Sequence, residues 1–156
     1  SELFNATYVY VNLLGNEAGR MIFDGEILLA HQGKLILKNP ILSFEDFQVL
    51  TFDLNQQNLN APELKSDSNF NLEFVKAASL GLFDYLRKSR SKGFVLSLSG
   101  GADSSTIAVL VAEMVRRGVE ELGVEAFIKK LGIPLQVKST DPVREIISQI
   151  FFTAYQ

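Results

Sequence analysis

The chain has 156 residues, 47% hydrophobic and 21% charged, with a formal net charge of −3. This is ordinary globular composition, long enough for one domain or for parts of two. It excludes a global basic field for nucleic acid, and with no cysteine it excludes disulfides, thiolate-bound zinc and a cysteine nucleophile within this chain. No apolar run approaches the ~20 residues of a membrane span and no signal peptide opens the chain, so a soluble, cytoplasmic protein is expected.

The first third reads as β structure. Tyr8 to Leu14 is rich in β-branched and aromatic residues. Met21-Ile22-Phe23 follows, then the turn signal Asp24-Gly25, then Glu26 to Ala30. Gln32-Gly33 marks a second turn before Lys34 to Lys38, and Phe47 to Leu54 has the character of one more strand. Short strands separated by turn residues suit an antiparallel meander that needs a partner layer. Phe47 and Phe52 are assigned to the core. His31, beside a turn and without a second histidine, is a structural or surface residue, and Glu17 a solvated carboxylate.

Asn55 to Asn69 is polar and aperiodic and reads as an interdomain linker; a long surface loop is the alternative. Phe74, Ala78, Leu82, Tyr85 and Leu86 recur at helical spacing. The basic run Arg87 to Lys92 then suits a solvated helix C-terminus, with a phosphate-binding patch as the second reading. Phe94 to Leu98 is an apolar strand of the buried parallel type. A helix follows with Ile107, Leu110, Val111, Met114 and Val115 on one face and an end at Arg116-Arg117-Gly118. Val119 to Leu131 forms a second helix and Leu135-Gln136-Val137 a short strand. Asp141-Pro142 starts a last helix, with Val143, Ile146, Ile147, Ile150 and Phe151 on one face.

The chemistry concentrates in Ser99-Gly100-Gly101-Ala102-Asp103-Ser104-Ser105, between that strand and that helix. Two adjacent glycines permit a sharp turn that bares backbone N–H groups, and the positive end of a helix dipole points at the same place. Asp103 adds a possible metal ligand, and the serines add hydroxyls. The Walker A pattern fails, because no lysine lies between Lys92 and Lys129. The G-x-G-x-x-G pattern fails too, because Gly100 and Gly101 are adjacent and no third glycine follows until Gly118.

The sequence Ser99-Gly100-Gly101-Ala102-Asp103-Ser104 resembles the S-G-G-x-D-S pyrophosphate loop of the ATP pyrophosphatases. Leu80-Gly81-Leu82-Phe83-Asp84-Tyr85-Leu86-Arg87-Lys88 looks like the leading helix of the glutamine-dependent NAD synthetases. Tyr10-Val11-Asn12, Gly15, Glu17, Phe23-Asp24-Gly25 and Gly33 resemble the later strands of the nitrilase-like glutaminase domain that precedes the synthetase in those enzymes, and Thr153 to Gln156 resembles the opening of a further synthetase segment.

The implied fold is α/β: the end of a nitrilase-like α/β sandwich over 1–54, a linker over 55–69, and over 70–156 the start of a Rossmann-like adenine-nucleotide α-hydrolase (PP-loop) domain. The implied reaction is a ligase reaction in which ATP adenylates nicotinic acid adenine dinucleotide and glutamine-derived ammonia displaces AMP. The resemblance assigns ATP binding to Leu98, Ser99, Gly100, Gly101, Ala102, Asp103, Ser104 and Ser105. Of these, Asp103 is the ligand of Mg2+ and Ala102 fills the loop's variable position. The implied partners are the dinucleotide and glutamine or ammonia, without nucleic acid or membrane, and a homo-oligomer is expected. The family's glutaminase uses a Glu-Lys-Cys triad whose cysteine is absent here. Glu2, Glu17 and Glu26 therefore receive no catalytic role, and this polypeptide by itself is expected to be inactive. Other ATP pyrophosphatases (GMP or asparagine synthetase, or tRNA-thiolating enzymes) and a non-enzymatic nucleotide-binding module are the rival readings.

Overall fold

The computed structural model of the chain describes residues 1–17, 19–53 and 69–155. The N-terminal strands are β1 (Thr7–Val11), β2 (Leu14–Glu17), β3 (Met21–Asp24), β4 (Ile27–His31) and β5 (Lys34–Lys38). They do not form a simple meander. β1, β4 and β5 make an antiparallel sheet in that order, while β2 and β3 form a separate hairpin. The expected strand over Tyr8–Leu14 thus breaks at Asn12-Leu13, and Leu14 opens β2 instead. Asp24 fixes the break: its carboxylate accepts from Asn12 Nδ2 at 2.7 Å and from the Glu26 backbone at 2.9 Å. The Gln32-Gly33 turn joins β4 to β5 as a tight hairpin. His31 is structural, its Nδ1 2.9 Å from Thr7 Oγ1 across the β1–β4 pair, and Glu17 is exposed. The strand expected over Phe47–Leu54 does not form among the described residues 47–53, and Phe47 is 74% exposed rather than core. Leu54 and nearly all of the expected linker, 55–68, lie outside the described residues.

Asn69 caps α1 (Phe70–Ser89), its side chain accepting from the backbone of Asn71 and Leu72. The buried face of α1 is Ser79, Leu80, Phe83, Asp84 and Leu86. Phe74 and Tyr85, expected inside, are 55% and 56% exposed. An i, i+4 stripe can be drawn through either face of a helix this apolar, and packing chose the one with Leu80 and Phe83. The basic run closes α1 as expected, with Arg87 and Lys88 in its last turn and Arg90 in a left-handed cap.

β6 (Phe94–Leu98) leads into α2 (Ala102–Leu122), which overruns the expected end at Gly118. Gly118 is buried inside the helix, where a Cβ would overlap the Phe127 ring. The expected single helix over Val119–Leu131 is instead the tail of α2 and a separate α3 (Val124–Leu131), broken at Gly123. No strand forms at Leu135–Val137. The parallel partner of β6 is β7 (Phe151–Tyr155), reached through α4 (Pro142–Ile150). α4 begins where Asp141-Pro142 predicts, with the Asp141 carboxylate accepting from Arg144 N.

The described residues thus form a mixed α/β protein. Leu80 and Phe83 from α1, Met114 and Val115 from α2, Phe127 from α3 and Ile146 and Ile150 from α4 close the main core. Leu42 and Phe44, from the segment after β5, complete it: the Phe44 and Phe83 ring centroids are 5.1 Å apart, and those of Phe83 and Phe127 5.5 Å. Among the described residues no helix is long and apolar enough to cross a membrane.

Candidate functional site

The β6-to-α2 turn is a strand that ends, a glycine at φ +79° (Gly100), and a helix that starts at once. Gly101 is the N-cap and has no side chain with which to satisfy the first N–H groups of α2. The first helical hydrogen bond is Ser105 N to Gly101 O, at 3.2 Å. The N–H groups of Ala102, Asp103 and Ser104 precede it and lie at the positive end of the helix dipole. A Cβ at Gly100 would meet nothing within 4 Å, so the space over the turn is open to a ligand.

All of Leu98 to Ser105 lie in this one turn. Leu98 ends β6 and is half-buried; Ser99, Gly100, Gly101, Ala102, Asp103 and Ser105 are exposed. The hydroxyls of Ser99 and Ser104 stand 3.5 Å apart. Those of Ser104 and Ser105 donate back to Gly101 O at 3.2 and 2.9 Å. They must rotate away to serve an incoming oxyanion, so the backbone N–H groups are its ready donors. Asp103 makes no hydrogen bond or ion pair with the described residues. Among those residues no group of three or more His, Asp or Glu side chains could cage a metal. A divalent cation at Asp103 would therefore take most of its ligands from its substrate's oxygens and from water, which is how magnesium is usually held. The arrangement suits a phosphate-bearing ligand.

A second polar cluster lies at the other end of the helices, and sequence reasoning missed it. Asp84 is 1% exposed. Its Oδ2 accepts from Asn16 N at 2.6 Å, and its Oδ1 from Arg87 Nε at 2.7 Å. Lys88 donates to Asn16 O, and Arg87 reaches on to Asp46 Oδ1 at 2.9 Å. Asp46 also faces Lys130 Nζ at 3.2 Å. Desolvation by itself would raise the Asp46 pKa, but hydrogen bonds and charge from Lys130 and Arg87 outweigh it and hold the carboxyl below its ordinary value. Gly15, at φ +94°, makes room: a Cβ there would overlap Asp84 Oδ2. The visible signal was an aspartate among apolar residues with Arg and Lys three and four positions on. A cavity of about 380 Å³ opens beside this cluster, lined by Arg87, Arg90, Lys92 and Lys130. Arg87 and Lys130 are tied up in ion pairs, and the C-terminal ends of α1 and α3 lie there, so part of this basic cluster serves internal anions and helix dipoles.

The fold is mixed α/β, and its strand–glycine–helix turn carries neither the Walker nor the dinucleotide sequence pattern. The family model for NAD synthase matches residues 74–151. The glutamine-dependent NAD(+) synthetase of Synechocystis is 34% identical over 111 residues, covering 70% of this chain and 20% of that protein. That of Oryza sativa is 26% identical over 192, covering 95% and 26%. A crystal structure of a glutamine-dependent NAD(+) synthetase from Cytophaga hutchinsonii superposes with a TM-score of 0.85 at 49% identity, covering 99% of this chain and 26% of that one. The chain belongs to the NAD synthase family. It spans about a quarter of the length of the relatives it matches, 20% and 26% for the two named.

Proposed function

We propose that the chain carries the pyrophosphate-holding part of a glutamine-dependent NAD synthetase. The reading joins the end of a nitrilase-like glutaminase domain, residues 1–54, to the start of a PP-loop synthetase domain, residues 70–156. The observation that carries it is the N-terminus of α2, without a side-chain cap, behind the Gly100-Gly101 turn, with an Asp103 that pairs with no other described residue, inside the family-matched residues. That match favours this reading over the GMP, asparagine and tRNA-thiolating enzymes.

In the proposed reaction, a carboxylate oxygen of nicotinic acid adenine dinucleotide attacks the α-phosphorus of ATP, and the bond to the β-phosphate oxygen breaks. An unactivated carboxylate is a poor acyl donor, and the acyl adenylate supplies a good leaving group. Negative charge grows on the departing pyrophosphate. The N–H groups of Ala102, Asp103 and Ser104 are already aimed at it, so stabilising it needs little reorganisation. The hydroxyls of Ser99, Ser104 and Ser105 rotate to donate, and Leu98 anchors the turn on the sheet. Asp103 would hold magnesium, which supplies Lewis-acid neutralisation of that growing charge. Ammonia released from glutamine then attacks the acyl carbon and AMP leaves.

Calorimetric titration with magnesium-ATP tests the binding step. Wild type should bind only with the metal present, and Asp103→Ala should bind at least about tenfold more weakly at an unchanged unfolding temperature. Equal, metal-independent binding by both would mean a nucleotide-binding module without this chemistry.

A further inference from the structure

The phosphate turn is joined to β6 at Leu98 on one side and rides on α2 on the other. The buried residues of α2 are Leu110, Val111, Met114, Val115 and Gly118, and the turns before Leu110 are largely exposed, Val109 among them. Among the described residues α2 is thus packed mainly over its second half, with the phosphate turn at its lightly packed end. The far end carries a hold from the N-terminal region: the Glu121 carboxylate accepts from the Ser43 hydroxyl and, at 3.0 Å, from Phe44 N. Both donors are buried and fixed, because Phe44 sits in the core against Phe83.

We propose that Glu121 is a positioning residue for the phosphate turn, and that the Ser43–Phe44 segment sets the tilt of α2 through it. The helix rises roughly 18 Å from Met114, the centre of that packing, to Ala102. A rotation of about 3° about that point moves the turn by roughly 1 Å, a displacement that matters where reacting groups are aligned. The two hydrogen bonds on Glu121 fix the short arm of the lever, and the phosphate N–H groups ride on the long arm. The N-terminal region thereby acts on the loop without approaching it. Only the consequence for nucleotide binding rests on the function proposed above; the mechanical claim does not.

The test compares Glu121→Ala, which removes the acceptor, with Glu121→Gln, whose Oε1 can still accept both hydrogen bonds. In the ¹⁵N-labelled chain, the amide resonances of Gly100, Gly101 and Ser104 should shift in the alanine variant and return in the glutamine variant. Unmoved resonances in a folded alanine variant overturn the lever, as does an equal shift in both. Ser43→Ala removes one hydrogen bond of the two and should give a smaller shift in the same direction; it decides the matter if Glu121→Ala does not fold. Magnesium-ATP affinity should fall roughly tenfold in Glu121→Ala and recover in Glu121→Gln. A wild type that binds no nucleotide overturns the nucleotide reading, while the resonance shifts still decide the lever.

Discussion

At its Leu122 end α2 lies among satisfied groups, with Glu121 accepting two hydrogen bonds and the neighbouring Asp84, Arg87, Asp46 and Lys130 alternating in sign. At its Ala102 end no side chain caps the helix, a glycine at positive φ opens the backbone, and the Asp103 carboxylate has no partner among the described residues. The same helix thus spends its polar groups on the protein at one end and keeps them for a ligand at the other. Charge alone does not mark a site. Arg87, Asp84, Asp46 and Lys130 pair with one another, and the sparsely charged glycine turn has the donors to spare.

Substitutions at the two ends should separate these roles. The largest effect belongs to Asp84→Ala, which leaves the Arg87 Nε–H and the buried Asn16 N–H without their acceptor. A loss of about 3–5 kcal/mol in urea unfolding is expected. An effect within 1 kcal/mol would mean that the cluster contributes little to the fold. Gly118→Ala comes next. It presses a methyl group into the Phe127 ring and should cost about 1–3 kcal/mol in urea unfolding. The same change at Gly100 meets open space and pays only left-handed backbone strain, about 1 kcal/mol by thermal unfolding. Its main expected effect is weaker magnesium-ATP binding.

The smallest effect is on pH dependence. The Asp46 carboxyl titrates below its ordinary value in the folded state, so its contribution to stability is full above the unfolded pKa and fades as pH falls through the lowered one. Asp46→Asn should therefore lower stability modestly at neutral pH, where that contribution is full, and flatten part of the acid limb below about pH 4, where the variant and the wild type converge. An unchanged acid limb would show that Lys130 and Arg87 are screened from it.

The legible parts of the sequence were those written locally. The Gln32-Gly33 hairpin, the Asp141-Pro142 helix start and the Ser99–Ser105 turn each declare themselves within a few residues, and each stands where expected. What was not legible depends on contacts between distant segments. β7 lies under Phe151–Tyr155, read only as the tail of a helix face and a chain end, because its partner β6 is more than fifty positions earlier. The β2–β3 hairpin separates from the sheet because it docks on α1 through Asn16 and Asp84, a pairing across 68 positions. Gly118 looked like a helix stop, but the Phe127 ring covers it, so the glycine serves close packing and not termination. Phe47 looked like core on composition alone and lies outside it.

The bare side of the β6–β7 pair has a practical consequence. Val95 and Phe152 stand side by side there, both exposed, and among the described residues each strand has a partner on one side only. Open amide edges next to uncovered apolar side chains invite further strands from other molecules. Handled by itself, this polypeptide should cluster as its concentration rises, and charged residues at Val95 and Phe152 would be the first place to improve its behaviour in solution.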